Sequence, residues 1–523
     1  MARTQLHADP AGVFLHDLIL QACRRHGPDV AIVDASMSPA RRITYAEYGD
    51  LLERLARGFV AAGVRPGEVI AIYLANSWEF AAAYHAATLA GAIPTPLNPS
   101  YREREVRYQL ENSGAALLIT NGSLIRDINL GGLPALRRVY VTREAAGAES
   151  FDTLLAPTSV TLSRGELAPE QAVAALPYSS GTTGLPKGVM LSHSNLVTNV
   201  FQLLAPGEEA TFRPGESALC FLPLYHIYGL NVILNPVLTV GGTVILMPRF
   251  DAEQTLRLIE QESISFLPMV PPVMNLLCQA AEQGRFPKAH RVRAGKCGAA
   301  PLAAELPRRF TSLTGIRIRQ GYGMTEASPV THLGYVDESL YRPESIGHAV
   351  ALTDCRLLND AGTDAAPGEA GELVMRGPQF MLGYWKSPEA TQEVLRDGWF
   401  WSGDVAKRDA DGFYFIVDRR KEMIKYKGFP VAPAEVEAVL LEHPAVRDCG
   451  VVGKADAAAG EIPCAFVVLR EGHAASAQTG AQLCGHVAER LTGYKQPREV
   501  RFVANIPRNP SGKILRRELR NLL

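Results

Sequence analysis

The sequence predicts an α/β plus α+β protein, with a large N-terminal domain of parallel βα layers that includes a β-barrel-like part, and a small C-terminal α+β domain. Three observations predict it. At 523 residues the chain exceeds the length over which one hydrophobic core keeps growing, so two or more units are expected. Helix and strand patterns alternate along the N-terminal part, the order that builds parallel sheets covered by helices. From about Gly368 the pattern turns to short strands rich in Gly and aromatics, as in "GEAGELVMRGPQFMLGYW", which suits an antiparallel sheet or barrel.

Taken in order, the opening "MARTQLHADPAGVFLHDLIL" has only a short apolar stretch, broken by His16 and Asp17, unlike a signal peptide. Thr44 and Glu47 stand at capping-box spacing, and Leu51, Leu52, Leu55 and Phe59 follow at helical intervals, predicting a helix from Tyr45 to Ala62. "EVIAIYL" reads as a strand, Glu79 to Ala90 as a helix and "GAIPTPL" as another strand. The apolar run from Leu230, "LNVILNPVLTVGGTVILMP", is interrupted by Pro236, Gly241 and Gly242, which predicts buried core elements and no membrane span. A helix opens at Asp251 and a buried strand follows from Ile264. The charged cluster Asp418–Glu422 then follows the strand-like "FYFIV". An exposed turn within one domain would look the same, but the boundary is placed here: an N-terminal domain over 1–417, a hinge at 418–421 and a C-terminal domain over 422–523, a size that can fold alone.

Composition narrows the function. The 53 basic and 54 acidic residues nearly cancel, giving no electrostatic footprint for nucleic acid and no polybasic membrane anchor. Eight cysteines occur singly, without C-x-x-C or Cys/His metal spacing, which reads as a reduced, cytoplasmic compartment. A small-molecule enzyme, monomeric or weakly dimeric, fits best. The segment "YSSGTTGLPKGVMLSH", Tyr178 to His193, combines glycines that let the backbone curl with hydroxyls and an ammonium, the ingredients of an anion nest. It is not a Walker A motif, because Lys187 follows Pro186 and precedes Gly188. A plain flexible turn could share this composition.

The ordered set "YSSGTTGLPKGVMLSH", "FLPLYHIYG", "GAAPL", "QGYGMTEASPV", "GWFWSGDVAKRDADGFYFIVDRRKEMIKYKGF" and "PRNPSGKILRREL" resembles the adenylate-forming superfamily of acyl-CoA synthetases, luciferases and nonribosomal peptide adenylation domains, over nearly the whole chain. Within it the chain is most similar to the 4-coumarate:CoA and cinnamate:CoA ligase branch. The resemblance implies ATP-dependent activation of a phenylpropenoic acid as its acyl adenylate, then transfer to coenzyme A, with ATP, Mg²⁺ and coenzyme A as cofactors. A medium-chain fatty acyl-CoA ligase, a luciferase-like adenylate oxygenase and a non-catalytic adenylate-binding protein are the rival readings.

The same resemblance implies roles. Ser179, Ser180, Gly181, Thr182, Thr183, Gly184 and Lys187 would cradle phosphates, Thr325 would donate to the α-phosphate, and Glu326 would hold the metal. Gln320, Gly321 and Tyr322 would lie along adenine, while Asp404 and Arg419 would hold the ribose. Lys513 would bridge carboxylate and α-phosphate from a mobile small domain that rotates about Lys421. Lys425, Lys427, Gly428 and Arg249 would serve coenzyme A. His226 would orient the acyl carboxylate, unless it is an ordinary core histidine. Tyr228, Val232, Ala294, Gly298, Ala299, Gly321, Pro329 and Val330 would surround the acyl group, unless they are simple core packing. No acidic residue stands in "PLYHIYG", which disfavours an amino-acid substrate, and Val232 is apolar where a polar residue can face a 4-hydroxyl.

Overall fold

The computed structural model describes residues 10–143, 148–163, 166–179, 185–204, 211–300, 302–427, 429–456, 458–509 and 512–523. A nine-stranded sheet forms the centre of the large unit. Its middle strands, Ile318–Gly323, Ala294–Cys297, Ile264–Met269, Ser217–Cys220, Thr243–Leu246 and Val30–Asp34, run parallel in that order. Antiparallel strands Val330–Leu333 and Arg41–Thr44 flank them. A second, wholly parallel sheet is built from Ile93–Pro96, Val69–Tyr73, Ala115–Thr120, Arg138–Val141 and Glu149–Ser150.

The local signals explain these elements. The helix Tyr45–Ala61 starts where Thr44 accepts a hydrogen bond from the Glu47 N–H, as the capping spacing requires. The Ala-rich helix Trp78–Leu89 is buried on every side, because it packs against strands of both parallel sheets. The apolar run from Leu230 forms a π-helical turn, Gly229–Leu234, that continues as the helix Asn235–Thr239. Pro236 stands where the π-helical turn passes into that helix. No helix among the described residues is long and apolar enough to cross a membrane.

Two expectations need correction. The antiparallel region begins at Asp354–Leu358, earlier than Gly368, because this strand pairs residue for residue with Gly371–Arg376. The strand "FYFIV" also runs on to Arg419, so the first two residues of the charged cluster belong to the large unit's sheet, paired with Val405 and Asp404. Charge does not end the strand, because each charge is satisfied in place. Asp418 accepts from the Ala434 N–H and Arg419 pairs with Asp404.

The large hydrophobic core extends as far as Tyr414 and a separate core begins at Ile424. The second core lies under a sheet in the order Phe429–Val431, Ile424–Tyr426, Gly460–Leu469, Val446–Asp456, with Glu499–Phe502 parallel to Gly460–Leu469. Inside it, Arg516 makes a bidentate ion pair with Glu437 at 2.7 and 2.8 Å, both side chains nearly inaccessible. Removing one partner leaves an uncompensated buried charge, a cost of about 3–5 kcal/mol. Arg516→Met is therefore expected to strip amide-exchange protection from residues 446–469, and unchanged protection would contradict the assignment.

Candidate active site

The carboxyl ends of the parallel strands form the floor of the site, as open α/β sheets favour. Strand register sets Cys297 beside Gln320, which brings Gly298 against Gly321: a Cβ on Gly298 would stand 3.0 Å from the Gly321 carbonyl oxygen. Tyr228 reaches the same place from the π-helical segment, donating from its hydroxyl to the Lys296 carbonyl at 3.1 Å. That hydroxyl is already engaged, so Tyr228 offers the site its ring. Val232 and Ala294 are buried, and Pro329 and Val330 close the side, with Val330 paired to Gly323. Ala299 differs from the others: it is exposed and has φ +69°.

Lys296 belongs to this floor, although no motif pointed to it. Its side chain is buried, its ammonium lies 5.6 Å from the Tyr228 ring centroid, and a Cβ on Gly321 would meet its Cε at 2.3 Å. The missing Cβ of Gly321 thus makes room for a lysine of the protein itself. The signal was a lone Lys inside the small-residue strand "AGKC".

A second cluster forms where three segments distant in sequence meet. Ser179 and Lys187 face each other on adjacent antiparallel strands. Ser179 Oγ donates to Glu326 Oε1 at 3.0 Å, and Tyr384 donates to the same oxygen at 2.9 Å. The Lys187 ammonium lies 5.2 Å from the Tyr384 ring centroid. Thr325 and Glu326 sit on a short 3-10 turn fixed by a bond from the Met381 N–H to the Glu326 carbonyl. Tyr384 escaped the sequence reading, because nothing local ties it to a glutamate 58 residues away. Ser180, Gly181, Thr182, Thr183 and Gly184 lie outside the described residues, as does Gly428.

The third cluster centres on Asp404, buried at 6 % exposure. Tyr322 donates to its Oδ2 at 2.5 Å and Arg419 Nε approaches its Oδ1 at 3.2 Å. Lys513 arrives from the small unit. Its backbone N–H donates to Asn509 Oδ1 at 2.9 Å, and Arg508 holds the turn through the Gly512 carbonyl at 2.7 Å. Gly512 has φ +84°, and a Cβ there would stand 3.1 Å from Pro272 Cδ, so glycine lets the turn seat against the large unit. Burial pushes the Lys513 ammonium down to about 8; Arg419 adds to that effect and Asp404 opposes it.

His226 lies in the loop that Asn76 anchors, donating to the Cys220 and Leu222 carbonyls and accepting from the Leu224 N–H. His226 Nδ1 accepts from the Tyr228 N–H at 3.2 Å, and burial lowers its pKa to about 4, so the ring is neutral with its proton on Nε2. Arg249, Lys421, Lys425 and Lys427 stand exposed, outside these buried clusters. Gln320 is half-buried beside Cys297.

A buried carboxylate bonded to Tyr322 near the end of a parallel strand, with a lysine brought toward it by a separate small unit, suits an adenylate-forming enzyme. The comparisons agree. Residues 19–385 match the model of the AMP-binding enzyme family, and residues 435–513 match that of the AMP-binding enzyme C-terminal domain. The chain is 36 % identical over 524 residues to 4-coumarate–CoA ligase 5 of Oryza sativa subsp. japonica, covering 98 % of this chain and 95 % of that one. It is 36 % identical over 529 residues to 4-coumarate–CoA ligase 1 of Arabidopsis thaliana, with 98 % and 93 % covered. Among solved structures it is similar to the anthranilate CoA ligase AuaEII in complex with anthranoyl-AMP, with TM-score 0.89, 26 % identity and 98 % of each chain covered. It is also similar to ATP-bound MatB from Rhodopseudomonas palustris, with TM-score 0.88, 28 % identity, and 98 % and 99 % covered. The chain belongs to the AMP-binding enzyme family, and it is an AMP-forming acid–thiol ligase.

Proposed function

We propose that the enzyme activates a phenylpropenoic acid such as cinnamate or 4-coumarate. A carboxylate oxygen attacks the α-phosphorus of ATP as the bond to pyrophosphate breaks, and the sulfur of coenzyme A then attacks the acyl carbon as AMP leaves. The Lys513 turn, seated against Pro272 of the large unit with Asp404 and Arg419 acting on its ammonium, supports this reading: the ammonium would stand where charge builds in the first step. In our reading Asp404 grips the ribose hydroxyls with Arg419 beside it, Gln320, Gly321 and Tyr322 lie along adenine, and Thr325 donates to the α-phosphate. His226 presents Nε2–H to the acyl carboxylate. Ser179 to Gly184 and Lys187 receive the outer phosphates.

The residues around Glu326 fit Mg²⁺. Both hydrogen bonds to this carboxylate fall on Oε1, and no group of three or more His, Cys, Asp or Glu able to hold a metal occurs among the described residues. One carboxylate is what Mg²⁺ needs when phosphates and water complete its shell, and the ion would supply charge neutralisation there. For the second step the small unit rotates near Lys421, and Lys425, Lys427, Gly428 and Arg249 receive coenzyme A.

The pH dependence follows from Lys513. Its working form is the ammonium, present below about 8 in the unliganded enzyme. The kcat/KM for pyrophosphate release is therefore expected to fall as pH rises through about 8. In Lys513→Arg, whose charge persists, that limb should vanish from whatever activity remains; its persistence would assign it elsewhere.

Val232 sets the ring preference. A phenol buried without a partner loses about 1–3 kcal/mol. Val232→Ser should accordingly raise the 4-coumarate to cinnamate ratio of kcat/KM by about 5- to 160-fold. The substrate class itself is tested by pyrophosphate release across cinnamate, 4-coumarate, caffeate, benzoate, octanoate and phenylalanine. The phenylpropenoic acids should be fastest, whereas preference for octanoate would overturn the assignment.

A further inference from the structure

A chain of buried polar side chains runs from the N-terminal helices to Ser328, just before the strand Val330–Leu333. Tyr48, His85, Asn235, Asn231 and Ser328 are all at 0 % exposure. Asn231 Nδ2 donates to the Ser328 carbonyl at 2.6 Å and to the Leu196 carbonyl at 3.2 Å. Two carbonyls can accept only from the NH₂ end of an amide, so Asn231 Oδ1 must face the other way, where Asn235 Nδ2 donates to it at 2.7 Å. That choice turns Asn235 Oδ1 toward His85 Nε2, at 2.8 Å, which must then carry the proton. His85 Nδ1 is left as acceptor for the Tyr48 hydroxyl, also at 2.8 Å. Every donor in the relay points toward Ser328.

What the relay grips is a residue that needs gripping. Ser328 has φ +69°, the left-handed region that disfavours a non-glycine residue. Asn199 clamps Val330, two residues on, accepting from its N–H at 3.0 Å and donating to its carbonyl at 2.8 Å. Asn231 also shares the π-helical turn Gly229–Leu234 with Val232, and π-turns mark functional sites. One amide thus joins two walls of the acyl site.

We infer that His85 and Asn235, which touch no substrate, are positioning residues: through Asn231 they fix the Ser328 carbonyl and so set the acyl pocket against the Thr325–Glu326 turn. The inference rests on the acyl-site reading above, but not on which acid fills the site. The relay is satisfied at every link, so it acts as a unit.

The test uses the full-length enzyme and whichever acid the wild type turns over best, so a different preferred acid overturns the phenylpropenoic assignment without touching the relay. Asn235→Leu is expected to raise KM for the acid about tenfold while KM for ATP stays within about twofold. His85→Leu should raise the acid KM about threefold, and the double variant should be no worse than Asn235→Leu alone. Tyr48→Phe, which removes a single oxygen and keeps the ring, should raise the acid KM about twofold and serves if the leucine variants do not fold. Parallel rises in both KM values, additive effects in the double variant, or an unchanged acid KM in folded variants would each overturn the inference.

Discussion

Lys513→Ala is expected to reduce acid-dependent pyrophosphate release by about 10²–10³-fold or more, the loss seen when one preorganised donor to developing charge is removed. The same variant should convert pre-made acyl adenylate and coenzyme A to thioester near the wild-type rate. The asymmetry follows from where the residue sits. Its turn belongs to the small unit, held by Arg508 and Asn509, yet it seats against Val270 and Pro272 of the large unit with its ammonium near Asp404. A lysine brought in by one docking contact serves the step that the docked state performs. Once the small unit turns to admit the thiol, that contact is gone. Equal loss in both half-reactions would mean that Lys513 supports the fold or serves both steps, contrary to its assigned role.

Asp404→Ala should be nearly as damaging, through a different constant. Truncating a buried, hydrogen-bonded charge costs about 2–5 kcal/mol, or roughly 30- to 5000-fold in kcat/KM for ATP. Part of that loss belongs to Arg419, which would keep its charge and lose the carboxylate 3.2 Å away. Tyr322→Phe separates the contributions, because it deletes only the bond to Asp404 Oδ2. It should show a several-fold rise in KM for ATP and little change in KM for the acid. If KM for ATP is unmoved in both variants, Asp404 does not face the nucleotide.

What the sequence made legible was local or motif-borne. The capping residues at Thr44 and Glu47 and the apolar spacing behind them place the first long helix within a residue of its observed end. Alternating elements give the parallel sheets, and the residues around "QGYGMTEASPV" and "WSGD" do meet at Asp404. The rest was invisible because it depends on side chains far apart in the chain. Tyr384 reaches Glu326 from a strand paired with Lys187–Ser192, and Lys296 fills the space left by Gly321 through strand register, which no periodicity encodes. The end of the strand beyond Asp418 was hidden for a related reason. A charged cluster looks like a break until its partners, Ala434 and Asp404, are seen to satisfy it within the strand.

The most direct test of acid activation as an acyl adenylate is isotope exchange between ATP and pyrophosphate in the absence of coenzyme A. Exchange should appear only when cinnamate or 4-coumarate is present, and adding coenzyme A should then yield AMP and acyl-CoA in equal amounts. No acid-dependent exchange, or ADP and phosphate in place of AMP and pyrophosphate, would contradict it.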